Sequence, residues 1–301
     1  MSSSSSLPLI KTVALAGAGN LGAFFPEQLV GAGLETTVLT RAGSTKSFPA
    51  GVKVKEVDYS SPSSLESALA GIDAVVATLM ALDAQAELIK AAAKAGVKLF
   101  VPSEFGNPST ELTDDDHPAL AGKRTAHDQL NEAGLPALLV WNGPFPETTF
   151  NPYLGFDFAN EKVSIYGSGR TPISWTTRLD VARFTAHHLA SLASLPAVGD
   201  PSILRIEGTR ASFLDVVDTF RALHPSRKVE VEHLPLEEGE RAAKDVAGGF
   251  VPSLLAYLRV VWEKGQGKVD QDGRAQLSNG LWPEWNPKTV EEVLKEQTAE
   301  L

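Results

Sequence analysis

The sequence, 301 residues long, contains no cysteine. That excludes disulfides, a thiolate nucleophile and any metal held by cysteine, and it is compatible with a reducing compartment. Long apolar runs are missing as well, since none approaches the roughly 20 residues that a membrane span requires. Positive charge is scarce: 27 Lys and Arg face 37 Asp and Glu, a formal net charge of −10. A surface that neutralises phosphates needs clustered Lys and Arg, so no nucleic-acid partner is expected. Residues 1–6 are Met and five serines. With neither a basic segment nor an apolar core, they read as a disordered leader rather than a signal peptide, and a cytoplasmic protein is expected. What is present, 43% hydrophobic and 21% charged residues, fits a globular enzyme with one large α/β domain and an added lobe.

The most informative stretch is residues 13–22, V-A-L-A-G-A-G-N-L-G. An apolar, strand-like run stands directly in front of a G-x-G-x-x-G made by Gly17, Gly19 and Gly22, and residues 21–30 after it read as a helix. A tight turn between strand and helix presents backbone N–H groups to a pyrophosphate at the helix N-terminus, where the dipole favours negative charge. Gly17, Gly19, Asn20, Leu21 and Gly22 are the cofactor-binding candidates there.

The chain then alternates. Short β-branched or apolar runs at residues 36–40, 52–57, 74–78, 98–101 and 137–141 read as strands, and residues 61–71, 84–95 and 119–133 read as helices. Strands separated by helices predict a doubly wound parallel sheet, the NAD(P)-binding Rossmann fold, with ligands beyond the carboxyl ends of the strands. This domain is expected over residues 7–150, and residues 178–208 return to it through a helix at 180–192 and a strand at 203–206. A smaller C-terminal substrate lobe is expected over residues 151–301, interleaved with the first domain and containing helices near 212–223, 236–247, 251–262 and 290–297.

The residue after the second strand selects the dinucleotide. A carboxylate there accepts from a ribose 2′-OH, whereas this chain has Arg41, followed by Lys46. A guanidinium holds a 2′-phosphate through paired charge-assisted bonds, so NADPH is expected. The alternative, two cations on a solvated loop, stays open.

Residues 100–106, F-V-P-S-E-F-G, end the fifth expected strand. Together with the glycine turn and the loop R-A-G-S-T-K-S at 41–47, this stretch resembles the isoflavone reductase-like branch of the NmrA-like family, an atypical branch of the short-chain dehydrogenases. The resemblance covers most of residues 11–185. It implies an NADPH-binding fold and, in many members, reduction of phenylpropanoid-derived or related aromatic substrates. The family's catalytic lysine opens the helix after the P-S-E-F-G loop, eleven residues before a Gly-Leu/Ile-Pro turn. Lys123, eleven residues before Gly134-Leu-Pro, matches it. Four residues earlier stands Ala119, so the Tyr-x-x-x-Lys pair of ordinary short-chain dehydrogenases is absent. The resemblance also puts the loop from Asn142 to Phe145 at the reactive end of the cofactor.

A partly desolvated lysine has a lowered pKa, which suits it to exchange a proton with a substrate oxygen while hydride moves at C4 of a nicotinamide. Orienting the ribose hydroxyls is the other role open to Lys123. Arg124 points to a different face of the helix. Asp114, Asp115, Asp116 and His117 read as a solvated lead-in to this helix, because consecutive carboxylates do not converge on a cation without a shaped loop. His187 and His188, adjacent on a helix, point about 100° apart and suit a metal poorly. Phe145, Phe150, Tyr153, Phe156 and Phe158 are equally suited to lining an apolar pocket and to packing a core, as are Trp282 and Trp285. Specificity is expected from residues 145–175 and 235–285.

The leading expectation is an NADPH-dependent reductase of a small, largely apolar or aromatic oxygenated substrate. A non-catalytic dinucleotide sensor with a protein partner is the alternative, and an epimerase or dehydratase is disfavoured by the missing tyrosine. A homodimer is left open, and no metal is expected.

Overall fold

Strand β1 (Thr12–Ala16, T-V-A-L-A) is buried over its last four residues, as an apolar run at the centre of a two-sided sheet must be. A 3₁₀ turn, Gly22–Phe24, follows and leads into α1 (Phe25–Gly31). Pro26 occupies the first turn of that helix, where its missing N–H is no loss, so the α-helix starts later than the apolar pattern at 21–30 implied. The alternation then continues through β2 (Glu35–Thr40), β3 (Lys53–Glu56), α2 (Pro62–Leu69), β4 (Ala74–Ala77), α3 (Leu82–Lys94), β5 (Leu99–Val101), α4 (Ala121–Glu132) and β6 (Leu138–Trp141). Ser61 caps α2 by accepting from the Ser64 N–H at 3.4 Å, the helix-start chemistry expected at that position.

The computed structural model describes residues 8–270 and 276–301. The leader at 1–6 lies outside them, as do residues 271–275 of the stretch expected to set specificity. Among the described residues no helix is long and apolar enough to cross a membrane.

Five strands form one sheet in the order β3-β2-β1-β4-β5, every pair parallel. The order reverses between β1 and β4, which opens the crevice at their carboxyl ends where such folds bind ligands. Phe100 of β5 bridges Ala137 in parallel, and its N–H donates to Pro136 O at 2.9 Å, which brings the chain into β6. The result is the doubly wound α/β sheet of the Rossmann type.

Beyond β6 come α5 (Pro146–Thr149), β7 (Phe156–Asp157), β8 (Lys162–Tyr166), β9 (Ile173–Trp175), α6 (Arg178–Ser191) and β10 (Ser202–Arg205), which pairs with β6. They are followed by β11 (Thr209–Ala211), α7 (Phe213–Leu223), β12 (Glu230–Leu234), α8 (Leu236–Lys244), α9 (Phe250–Val261) and α10 (Val290–Gln297).

These elements divide into two units. The first takes the chain up to Glu104, then Gly122–Val140 and Val181–Leu204. Its core is aliphatic, with Leu39, Leu65, Leu69, Leu88 and Ile89 around Phe100. The second takes Phe105–Ala121, Trp141–Asp180 and Arg205 onward. It holds two small sheets, β7-β8-β12 and β9-β11, over an aromatic core in which Phe158 stacks on Phe220 at 4.2 Å. The division differs from the boundary expected at residue 150. Residues 105–121 and 141–150 group with the second unit, which is as long as the first and is drawn from three stretches of chain rather than from the C-terminal half.

Candidate functional site

The glycine turn lies at the reversal point of the sheet, where β1 and β4 end side by side. Gly17, the first residue past β1, has φ +91°, which disfavours any residue with a side chain. Thr78, the first residue past β4, donates from Oγ1 to the Gly17 carbonyl and from its N–H to Ala16 O at 2.8 Å, so the turn is sewn to the neighbouring strand. Gly22 is buried against Gly17, and a Cβ there would overlap the Gly17 oxygen and come within 2.9 Å of its carbon. Gly19 faces open space. Asn20 is exposed and Leu21 half-buried. The three glycines thus have three separate tasks: a left-handed turn, a close backbone contact and an open approach.

Past β2, Arg41 and Lys46 are both exposed. Lys46 reaches back to the turn, where Nζ donates to the carbonyl of Ala18. The loop after the second strand and the glycine turn are therefore joined, a contact that the sequence spacing did not disclose.

Lys123 stands in the first turn of α4. The residue is half-buried, but its ammonium group is densely surrounded and donates to the Glu104 carbonyl at 2.6 Å. Burial pushes its pKa below the ordinary lysine value, and the Glu104 carboxylate acts in the opposite sense. Glu104 belongs to the P-S-E-F-G loop, and its side chain is almost wholly buried. The His127 ring, one turn further along α4, brings Nε2 to 3.1 Å from Glu104 Oε1, an ion-pair separation without the alignment of a hydrogen bond. The loop itself is held by Gln85 of α3, whose Oε1 accepts from the Ser103 N–H at 2.8 Å. Gln85 is only 5% exposed, and the signal for it is a polar residue on the helix face that carries Leu88, Ile89 and Ala92. Arg124, beside Lys123, is half-buried.

Asn142 and Phe145 lie in the second unit, where the end of the P-S-E-F-G loop also lies. The N–H groups of Asn142 and Gly143 both donate to Gly106 O, at 2.9 and 3.0 Å. Gly143 has φ +67°, and a Cβ there would overlap the Ser174 oxygen and come within 2.8 Å of its carbon. Asn142 is fully buried. Its Nδ2 donates to Gly143 O at 2.7 Å, and Oδ1 has no hydrogen-bond partner among the described residues. Phe145 is half-buried, and its carbonyl accepts from the hydroxyls of Thr148 and Thr149.

Of the remaining candidates, Phe150, Phe156 and Phe158 pack in the second core, while Tyr153 is 82% exposed. Trp285 is buried and Trp282 half-buried. The acidic run before α4 corrects the expectation of a solvated lead-in. Asp114 and Asp115 are exposed, but Asp116 accepts from Tyr257 Oη at 2.6 Å and from the Thr113 N–H at 2.7 Å, and His117 is 3% exposed. Both residues anchor onto α9. Among the described residues no three His, Asp or Glu side chains converge as a metal site would require.

A model of the NmrA-like family matches residues 10–294. A curated relative, the oxidoreductase aprR of Aspergillus flavus, is 30% identical over 283 residues, covering 88% of this chain and 92% of its own. Among solved structures, an isoflavone reductase superposes with a TM-score of 0.79 at 19% identity, over 96% of this chain and 99% of its own. The binary complex of leucoanthocyanidin reductase with NADPH from Vitis vinifera gives 0.78 at 20%, over 96% and 100%. These likenesses establish a shared fold.

Proposed function

The chain belongs to the NmrA-like family, and from that premise we propose that it is an NADPH-dependent oxidoreductase acting on a small, largely apolar or aromatic oxygenated substrate. The observation that carries the reading is an enclosed lysine, Lys123, held at 2.6 Å on a buried loop carbonyl in the same unit as a glycine turn at the sheet reversal. An ordinary surface lysine is solvated and needs no such seat.

The residues of the turn fit a dinucleotide. Gly22 lets the backbone fold back on Gly17, and Gly19 leaves room for a pyrophosphate to approach the main chain. Arg41 is assigned to the 2′-phosphate, and Lys46 adds positive charge at the turn it touches. Asn20 and Leu21, which stand in the turn between Gly19 and Gly22, are assigned to the same pyrophosphate. Asn142, whose buried Oδ1 is an acceptor awaiting a donor, and Phe145 are assigned to the nicotinamide end.

When bound, NADPH would supply a hydride from C4 of its nicotinamide. Lys123 serves as acid and base at the substrate oxygen: its ammonium, destabilised by burial, gives up a proton more readily than a solvated lysine does. Two relatives in fold are, by name, an isoflavone reductase and a leucoanthocyanidin reductase, which supports the aromatic class. The test is fluorescence titration with NADPH and NADH, followed by a screen of aromatic ketones, enones and benzylic ethers for NADPH oxidation. Turnover of one class is expected, and tight NADPH binding with no turnover of any would overturn the catalytic reading.

A further inference from the structure

Lys123 does not sit in its enclosure alone. Its Nζ donates to the main chain of Glu104, and the carboxylate of the same residue acts on its charge. His127, four residues on and therefore on the same face of α4, brings its ring to that carboxylate at 3.1 Å. The Glu104 side chain is 1% exposed and that of His127 18%. Gln85 fixes the preceding peptide through Ser103, and the Glu104 N–H donates to Pro102 O at 2.8 Å. All of these residues belong to the first unit.

A carboxylate so deeply buried is costly unless charge or hydrogen bonds meet it. Packing needs no acid here, since an apolar residue fills such a place at lower cost. Its effect on the lysine is specific. Burial by itself drives an amine toward the neutral form, whereas a proton donor must still hold its proton when substrate arrives. A carboxylate close to the ammonium restores that capacity, provided that its own charge is kept in place.

We propose that Glu104 and His127 form a positioning couple for Lys123. Glu104 fixes where the ammonium sits and how tightly it holds its proton, and His127 holds the Glu104 carboxylate in its charged form and orientation. The assignment rests on the reading of Lys123 as the acid and base of a reductase, but it concerns a property of the lysine that exists without turnover.

The experiment is competitive acetylation of the intact protein with trace acetic anhydride across pH, the titration of Lys123 being read by mass spectrometry of its peptide. Three variants are compared with the wild type: Glu104→Gln, His127→Leu and His127→Lys. Glu104→Gln should weaken the proton affinity of Lys123 about tenfold, and His127→Leu should move it in the same direction. His127→Lys, which keeps a cation on the same face of α4 to meet the carboxylate, should stay near the wild type. If Glu104→Gln fails to fold, the two His127 variants still decide the matter. Titration of Lys123 unchanged in every folded variant would overturn the couple, and so would equal behaviour of His127→Leu and His127→Lys. The two readings fail separately: shifted titration with no NADPH oxidation leaves the couple standing and removes the reductase, and turnover with unshifted titration does the reverse.

Discussion

Gly22 lies so close to Gly17 that a Cβ on it would overlap the Gly17 carbonyl oxygen, which already accepts from the Thr78 hydroxyl. No side chain at position 22 is compatible with that turn. Gly22→Ala should therefore lower the unfolding free energy by about 1–3 kcal/mol, the cost of forcing atoms into a filled space, and weaken NADPH binding more than tenfold. Gly19, which faces open space, separates binding from stability. Gly19→Ala should change stability by less than about 0.5 kcal/mol while still obstructing the pyrophosphate. Thermal unfolding without cofactor and fluorescence titration with it measure the two effects independently.

Under the proposed assignment, Arg41 carries the choice between the two dinucleotides. NADPH should bind at least tenfold more tightly than NADH, since a guanidinium paired with a 2′-phosphate contributes on the order of 1.5–3 kcal/mol. Arg41→Glu places a carboxylate against that phosphate and should erase or reverse the preference. Dissociation constants for both cofactors on both proteins check this, and equal affinities in the wild type would refute the assignment.

Replacing Lys123 by Met removes the proposed acid and base but keeps an unbranched stem. Turnover should fall about 100-fold or more, with NADPH affinity within a few-fold of the wild type. A stability signature accompanies it. Because burial lowers the pKa of Lys123 below the ordinary 10.5, the unfolded chain binds more protons than the folded one between the two values. Wild-type stability therefore gains a contribution as pH rises toward 10.5, and the variant should lack it. Melting temperatures of both proteins from pH 7 to 10.5 test the sign.

His117 predicts an opposite limit of pH. Ser253 Oγ donates to Phe250 O at 2.9 Å, so the His117 Nε2–H donates to Ser253 at 3.0 Å, and Nδ1 accepts from the Ala119 N–H at 3.2 Å. Protonation at Nδ1 abolishes the last of these bonds. Burial also holds the pKa of His117 below the ordinary 6.5, so the unfolded chain takes up the proton first. The stabilising contribution is complete above pH 6.5 and is lost as pH falls below it. His117→Leu should cost about 1–2 kcal/mol at pH 8 and proportionally less at pH 5. Denaturant midpoints at the two pH values measure the difference.

The first unit was legible because its sequence signals are local. Alternation of apolar runs with helical segments gave each strand of the five-stranded sheet to within about two residues, and Gly17, Ser61 and Gly134 mark turns or caps by their chemistry alone. The second unit was not. Its strand β12 pairs with β8 some 68 residues away in parallel, and no spacing in the sequence announces a partner so remote. At the candidate site, a motif singles out Lys123 as the proposed catalytic residue, and Glu104 is visible as part of the same motif but without a task. Gln85, Thr78 and His127 were missed, since each acts through a contact that exists only once the chain has folded. Asp116 and His117 were misread because polarity suggested solvent, while α9 supplies them with partners.

The chain passes from one unit to the other five times, at residues 104/105, 121/122, 140/141, 180/181 and 204/205. During synthesis, therefore, the first unit is not covalently complete until Leu204 has been made, and by then two segments of the second have already emerged without their partners in β12, α9 and α10. Domains usually fold one after another as the chain grows. Here the first unit cannot close before 57 residues of the second have been made, so the second unit's early segments wait for partners that lie beyond Leu204.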